Sequence, residues 1–295
     1  MRQLFILFAC VFLYSCSDRQ ASYEIIAGGD DRLLIIDEAS SNGEDVKVVW
    51  SWKVSDAAAQ LPEAYQRYMV PIDDNKPVDG NTKLLVTSSG GGVVLLDRET
   101  KKCLFYAHVP MAHSADLLPN GRIAVALSTH NKGNSIEIYD VNKPEQVLYR
   151  DSLYSGHGAV WMPARNRFYA LGFNELREYS LKNWKTASPE LSLDRKWTVP
   201  LEGGHDLSPV SDSELLVSAH QGVFVFDIPT ETFTPFEPLH SVENVKSVSF
   251  VKESQRLFYT KAEESWWTFH VYTANPDKTL TVPDIKLYKA RIIKK

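Results

Sequence analysis

The stretch HSADLLPNGRIAVALSTHNKGNSIEIYDVNKPEQVLYRDSL, residues 113–153, decides how the rest of the chain is read. It contains a first apolar run, an Asn120-Gly121 turn, a second run RIAVALS, a polar loop, a third run IEIYD ending at Asp140, and a fourth run. Short β-branched runs broken by Asn-Gly and Asp turns read as antiparallel hairpins, and four of them in roughly 40 residues match one propeller blade. The pattern recurs along the chain. Third-strand runs leave through an aspartate in LLIID at Asp37, VVLLD at Asp97, IEIYD at Asp140 and VFVFD at Asp227. Second-strand runs recur as KLLVTSS from Lys83, RIAVALS from Arg122, RFYALGF from Arg167, ELLVSAH from Glu214 and RLFYTKA from Arg256.

Counted this way, the chain holds six units. The first opens directly at YEIIAGGDDRLLIID, residues 23–37, where a second strand belongs, and the run Leu287-Tyr288-Lys289-Ala290-Arg291-Ile292-Ile293 is left over at the other end. If the carboxy terminus supplies the missing innermost strand, the ring closes and the two edges left by the incomplete first unit and the leftover run pair with each other instead of templating pairing with other chains. The expected fold is therefore all-β, a single six-bladed β-propeller over residues 23–295, closed by a clasp between its N- and C-terminal strands. A two-sheet sandwich is the alternative, and it gives no reason for a repeat of this length. Only residues 56–68, DAAAQLPEAYQRY, read as locally helical, and Pro62 interrupts them. Trp50 and Trp52 alternate on one run and read as packing residues.

Residues 4–13, LFILFACVFL, form an apolar run behind Arg2 that ends at Leu13-Tyr14-Ser15-Cys16. The run is shorter than the roughly 20 residues of a spanning helix. A cationic start, an apolar core and a small residue directly before a cysteine resemble a bacterial lipoprotein signal. On this reading residues 1–15 are a lipoprotein signal peptide, Cys16 carries the lipid and residues 16–22 are anchor and linker. The protein is then an exported bacterial lipoprotein, expected at the outer membrane and facing the periplasm or the cell surface. A general secretory peptide or a buried strand is the alternative. Cys10 would leave with the signal, so Cys103 alone remains in the folded body. No cysteine-based zinc site or CxxC pair exists, and Cys103 reads as a small core residue. Lys and Arg number 32 against 37 Asp and Glu, a formal charge of -5, which disfavours a generic nucleic-acid binder. Any cationic site must be local. The body is expected to be a monomer that touches the membrane only through its lipid.

Alignment of the units on their innermost strands suggests one cationic column: Lys76, His113, His157, His205, Lys246 and Lys289. In a propeller these strands surround the axis, so three histidines and three lysines would meet at one mouth. Like charges in a confined pore repel each other, and an anionic guest is the simplest relief. The expected ligand set is Lys76, Lys246, Lys289, Arg291, Asp116, Asp206 and Trp266, with the anion an acidic small molecule or glycan. His113, His157 and His205 are the candidate acid–base residues if the protein is an enzyme, since an imidazole titrating near 6.5 suits proton transfer. Asp116 and Asp206 could orient an imidazole or act as acids. No cofactor is expected. A divalent metal held by the same three histidines is a weighed alternative, and so is a purely structural role, in which a histidine after glycine bonds backbone at the start of a blade. Loops between second and third strands, among them Ser88–Gly92, Thr129–Asn131, Phe173–Glu175, His220-Gln221 and Ser265–Trp267, should open on the same face. The Gly-rich run lacks the pattern and following helix of a phosphate loop and reads as a tight turn.

The segments HSADLLPNGRIAVA, GHGAVWMPARNRFYALGFNELREYSL, GGHDLSP and VKSVSF together resemble an uncharacterised family of exported six-bladed β-propeller proteins, often lipoproteins, of glycan-degrading bacteria. The resemblance spans most of the chain after residue 23 and implies fold and export, but no activity. Three functions compete. The first is a lipid-anchored binder of an anionic small molecule or acidic glycan at the channel mouth. The second is a lyase or hydrolase on such a glycan, and the third a protein-interaction scaffold.

Overall fold

The computed structural model describes residues 22–293, so the signal segment and Cys16 lie outside the described residues. Six four-stranded antiparallel sheets are arranged as blades. The innermost strands of blades 2 to 6 are Ile72–Val78, Ala112–Leu118, Gly158–Met162, Asp206–Ser211 and Val245–Val251, and each continues outward through the next three strands in chain order. Blade 1 differs. Its innermost strand is Leu287–Ile293, paired antiparallel with Glu24–Gly29 so that Glu24 faces Ile293 and Ile26 faces Arg291. The ring is thus closed by the carboxy-terminal run.

Six apolar clusters lie between successive blades, which is how flat sheets bury both faces. Between blades 1 and 2, for example, Ile26, Leu33, Ile35 and Trp52 meet Ile72, Leu84, Val86 and Leu96. The last cluster, with Ile25, Ala27, Phe258, Val271 and Leu287, joins blade 6 to blade 1 and forms only if the closing strand is in place. The repeated strand-exit aspartates have a local cause. Asp97 Oδ1 accepts the Thr100 amide at 2.8 Å and its hydroxyl at 2.6 Å, Asp227 does the same with Thr230 at 2.9 and 2.6 Å, and Asp37 accepts the Ser40 amide at 2.9 Å. Each caps the turn into the outermost strand.

The segment before blade 2 forms a short 3₁₀ turn, Val54–Ala57, and one helical stretch, Glu63–Tyr68, with Pro62 at its start. Among the described residues no helix is long and apolar enough to cross a membrane. Trp52 is fully buried, and Trp50 donates its indole N–H to Arg98 O at 2.9 Å. Cys103 is half-buried against the cluster between blades 1 and 2, and burial raises its thiol pKa to about 11.

Removal of residues from 287 onward should leave blade 1 with an open inner edge and strip the blade 6–blade 1 cluster of Leu287 and Ala290. The expected product is aggregated or unfolded chain rather than a five-and-a-half-bladed monomer. Size-exclusion chromatography with circular dichroism checks this, and a stable soluble monomer would refute it.

Candidate functional site

The pairing of inner with second strands defines levels along the channel. Asp74, Ser114, Gly158, Asp206 and Ser247 face Thr87, Ala126, Leu171, Ser218 and Thr260, the fifth residues of their second strands. In blade 1, Tyr288 and Lys289 both fall opposite Gly28, between the pairs Ala27–Ala290 and Gly29–Leu287. One residue earlier in each strand the mouth is therefore formed by Asp73, His113, His157, His205, Lys246 and Tyr288. This corrects the column of three histidines and three lysines. Lys76 sits three residues further along its strand and Lys289 one further. Residue type, not turn length, misleads here: Lys76 faces Leu85, the third residue of its second strand, which is the level Asp116 holds opposite Ala124 in blade 3, so a match by charge falls three residues beyond the mouth.

The histidines do converge. The His113 and His157 rings lie 4.4 Å apart, those of His157 and His205 5.6 Å, and His113 meets Tyr288 at 6.2 Å. Lys246 Nζ bonds His205 Nε2 at 2.9 Å and lies 5.9 Å from the centre of the Tyr288 ring. The Nδ1 atoms of His113 and His157 face the carbonyls of Met111 and Ser155, at 3.2 and 2.9 Å. The glycine before His205 has a packing cause, since a Cβ at Gly204 would lie 2.4 Å from Gly172 O. Burial, reinforced by Lys289, lowers the His113 pKa to about 4. Burial with Lys246 beside it lowers His205 to about 2, and His157 is pushed well below its ordinary value by burial and by the two flanking imidazoles. All three are neutral at pH 7, so the expectation of imidazoles titrating near 6.5 does not hold. Burial lifts Asp73 to about 7 and lowers Lys246 to about 8.

Immediately below the mouth the channel is plugged. Arg291 donates to both carboxylates that flank it, at 3.0 and 3.1 Å to Asp74 and 2.7 and 2.6 Å to Asp206. Lys289, wholly buried, donates to Asp206 Oδ1 at 3.1 Å and to His205 O at 2.8 Å. Asp74 also accepts the Ser114 hydroxyl at 2.8 Å. Burial opposes ionisation of Asp74 and Asp206, but Arg291 and Lys289 outweigh it and hold both carboxyls below the usual range. Lys289 and Arg291 thus have counter-ions from the protein itself and need no guest.

The remaining expected ligand residues divide between the two ends. Trp266, 39% exposed, packs against Tyr288 at 5.9 Å on the histidine side, where the tilted His220 ring lies 4.8 Å from His205 and Phe173 meets His220 edge-on at 6.3 Å. Lys76, Asp116 and Arg291 instead line a recess of about 330 Å³ at the opposite end of the inner strands. Neither aspartate orients an imidazole: Asp116 accepts the Leu117 and Trp161 amides, both at 2.8 Å, and Asp206 accepts the Val248 amide at 3.0 Å besides its ion pairs. These bonds satisfy inner-edge backbone groups that no fifth strand covers. Among the described residues no group of three or more His, Cys, Asp or Glu is placed to hold a metal ion. Sequence reasoning missed Asp73, Asp74 and Tyr288, while it placed His220 on this face. Counting back from the second strand of blade 2, rather than matching charge, would have found the two aspartates.

Arg291→Met should leave Asp74 and Asp206 buried and facing each other. Denaturant unfolding should then show a loss of about 3–5 kcal/mol, most of it recovered when Asp74→Asn is added, which leaves Lys289 paired with Asp206. The histidines set an acid limit. Because the His113 pKa is lower folded than unfolded, the unfolded chain binds the proton first, so stability is complete above about 6.5 and falls as pH drops toward 4, by on the order of 3 kcal/mol. Asp73, raised by burial, has the opposite sign over its own range, from the ordinary carboxyl value up to about 7. Comparing the parent with His113→Gln by urea unfolding at pH 7 and pH 4.5 isolates the histidine. A variant with an unchanged pH slope would contradict the assignment.

No curated protein matches the chain. A crystal structure of a protein of unknown function from Bacteroides caccae is similar in fold, with a TM-score of 0.61 and 11% identity over 93% of this chain and all of that one. A family model described as a family of unknown function, DUF6528, matches residues 20–295. With its six closed blades and that match over nearly its whole length, the chain belongs to the DUF6528 family.

Proposed function

We propose that the histidine mouth captures an organic anion, an acidic sugar by preference, with Lys246 as its anchor. One observation carries this reading. Of the four channel cations, Lys76, Lys289 and Arg291 each lie within 3.9 Å of Asp74 or Asp206, whereas Lys246 is paired with no carboxylate among the described residues. A buried ammonium held only by a neutral imidazole and an aromatic face gains most from an incoming carboxylate. The neutral imidazoles offer hydrogen bonds to hydroxyls, and the rim of Trp266, Phe173 and the 62%-exposed Tyr154 offers apolar faces to a sugar ring. The body is further proposed to be exported and held on a membrane by lipid at Cys16, as the amino-terminal pattern reads.

The test is calorimetric titration with galacturonate at pH 7. Lys246→Met should weaken binding roughly tenfold or more. Affinity should also fall as pH rises through about 8, where Lys246 loses its proton. Equal binding by parent and variant would remove the mouth from consideration.

One observation favours a catalytic version of the same site. Asp73, at about 7, is a carboxyl poised to take a proton near neutrality while Lys246 holds a substrate carboxylate. A lyase of this kind would generate the ultraviolet absorbance of an unsaturated uronate, and Asp73→Asn would abolish it.

A further inference from the structure

We propose that the recess at the opposite end of the channel is a second ligand site, for an uncharged, hydroxyl-rich ring such as a neutral monosaccharide. The recess, about 330 Å³, falls within the ~300–1,000 Å³ of small-molecule sites, and its lining comes from the inner strands of all six blades. Trp161, Phe250 and Pro209 supply apolar wall, and Lys76, Asp116 and Ser249 supply polar floor. That mixture suits a molecule with apolar faces and a polar edge.

Charge selects an uncharged guest. The floor and the plug behind it hold three cations, Lys76, Lys289 and Arg291, against three carboxylates, Asp74, Asp116 and Asp206, joined by contacts of 2.6 to 3.9 Å or by position in the same lining. The set is balanced, so a charged guest would be buried without a counter-charge, at a cost of several kcal/mol. A neutral hydroxyl leaves the balance intact. The floor retains hydrogen-bonding capacity for it. Lys76 donates one N–H to Ala159 O, and the ammonium carries two more. Asp116 accepts one backbone amide at each oxygen, from Leu117 and Trp161, which leaves lone pairs on both. A hydroxyl group can donate to that carboxylate while it accepts from Lys76. The two ends of the channel thereby differ in kind, with an unpaired cation at the histidine mouth and a compensated pair in the recess.

The test uses saturation-transfer NMR and titration with D-glucose, D-galactose and cellobiose, and with galacturonate as the charged counterpart. Four proteins are compared: the parent, Trp161→Ala, Ser249→Leu and Lys246→Met, each checked for folding by thermal unfolding. Ser249→Leu adds volume to the recess without removing a wall, so it stays informative if Trp161→Ala folds poorly. Saturable binding of a neutral sugar, weakened roughly tenfold or more by Ser249→Leu and unchanged by Lys246→Met, is the expected result. The proposal is overturned if no neutral sugar binds saturably, if binding survives both recess variants, or if Lys246→Met abolishes it. Loss of galacturonate binding in Lys246→Met bears only on the histidine mouth, so the two readings can fail separately.

Discussion

The cluster of Asp74, Arg291, Asp206 and Lys289 at the axis is the contact on which the rest of the molecule depends. Both cations belong to the closing strand, Leu287–Ile293, and both carboxylates belong to blades laid down earlier, blade 2 and blade 5. Until the carboxy terminus docks, the two carboxylates lack Arg291 and Lys289, and Lys76, 3.9 Å from Asp74, is the one cation left within 4 Å of either among the described residues. Once it docks, four buried charges are satisfied together with the backbone edge of blade 1. Ion pairs taken out of water contribute little net stability, but a wrong register that separates them is heavily penalised. The cluster therefore acts mainly on specificity, locking one alignment of the clasp. Around it, Asn75 donates to Lys289 O at 2.9 Å and the Ala290 amide donates to Ser247 Oγ at 2.9 Å, tying the same strand to blades 2 and 6.

Plugging the axis divides the channel into two chemically different ends. A propeller channel open from end to end would be one site with one electrostatic character. Here the plug separates a mouth of neutral imidazoles around Lys246 from a recess floored by Lys76 and Asp116. Low dielectric acts differently on each. At the mouth it drives the imidazoles to their neutral forms and strains an ammonium paired with no carboxylate among the described residues. In the recess it keeps opposite charges in balance. The alternation of polar and apolar residues along the inner strands is not a ligand code alone, since Asp116 and Asp206 cap amides of Trp161 and Val248 on the next blade. Polar residues at a propeller axis must first replace the strand that is missing there.

The fold was legible because its determinants are local. The aspartates at 37, 97 and 227 cap turns within a few residues of themselves, and the second strands beginning at Lys83, Arg122, Arg167, Glu214 and Arg256 all form where their β-branched runs lie. Closure was legible as well, because a first unit without its inner strand and a leftover terminal run must satisfy each other or leave open edges. The convergence of His113, His157 and His205 followed from that architecture.

Which partners meet at the axis was decided only by tertiary structure. The strand pairing in blade 2 puts Asp73, not Lys76, beside the histidines, because Lys76 faces Leu85, two residues short of Thr87, and the clasp register puts Tyr288 there, not Lys289. The sequence by itself determined how many basic groups approach the axis. Whether each is exposed, paired or plugged depends on one-residue offsets between strands more than 200 positions apart, such as Arg291 against Asp74. Periodicity carries no information about such offsets, because a shift of one residue leaves the alternation of apolar runs recognisable while exchanging every partner across the channel.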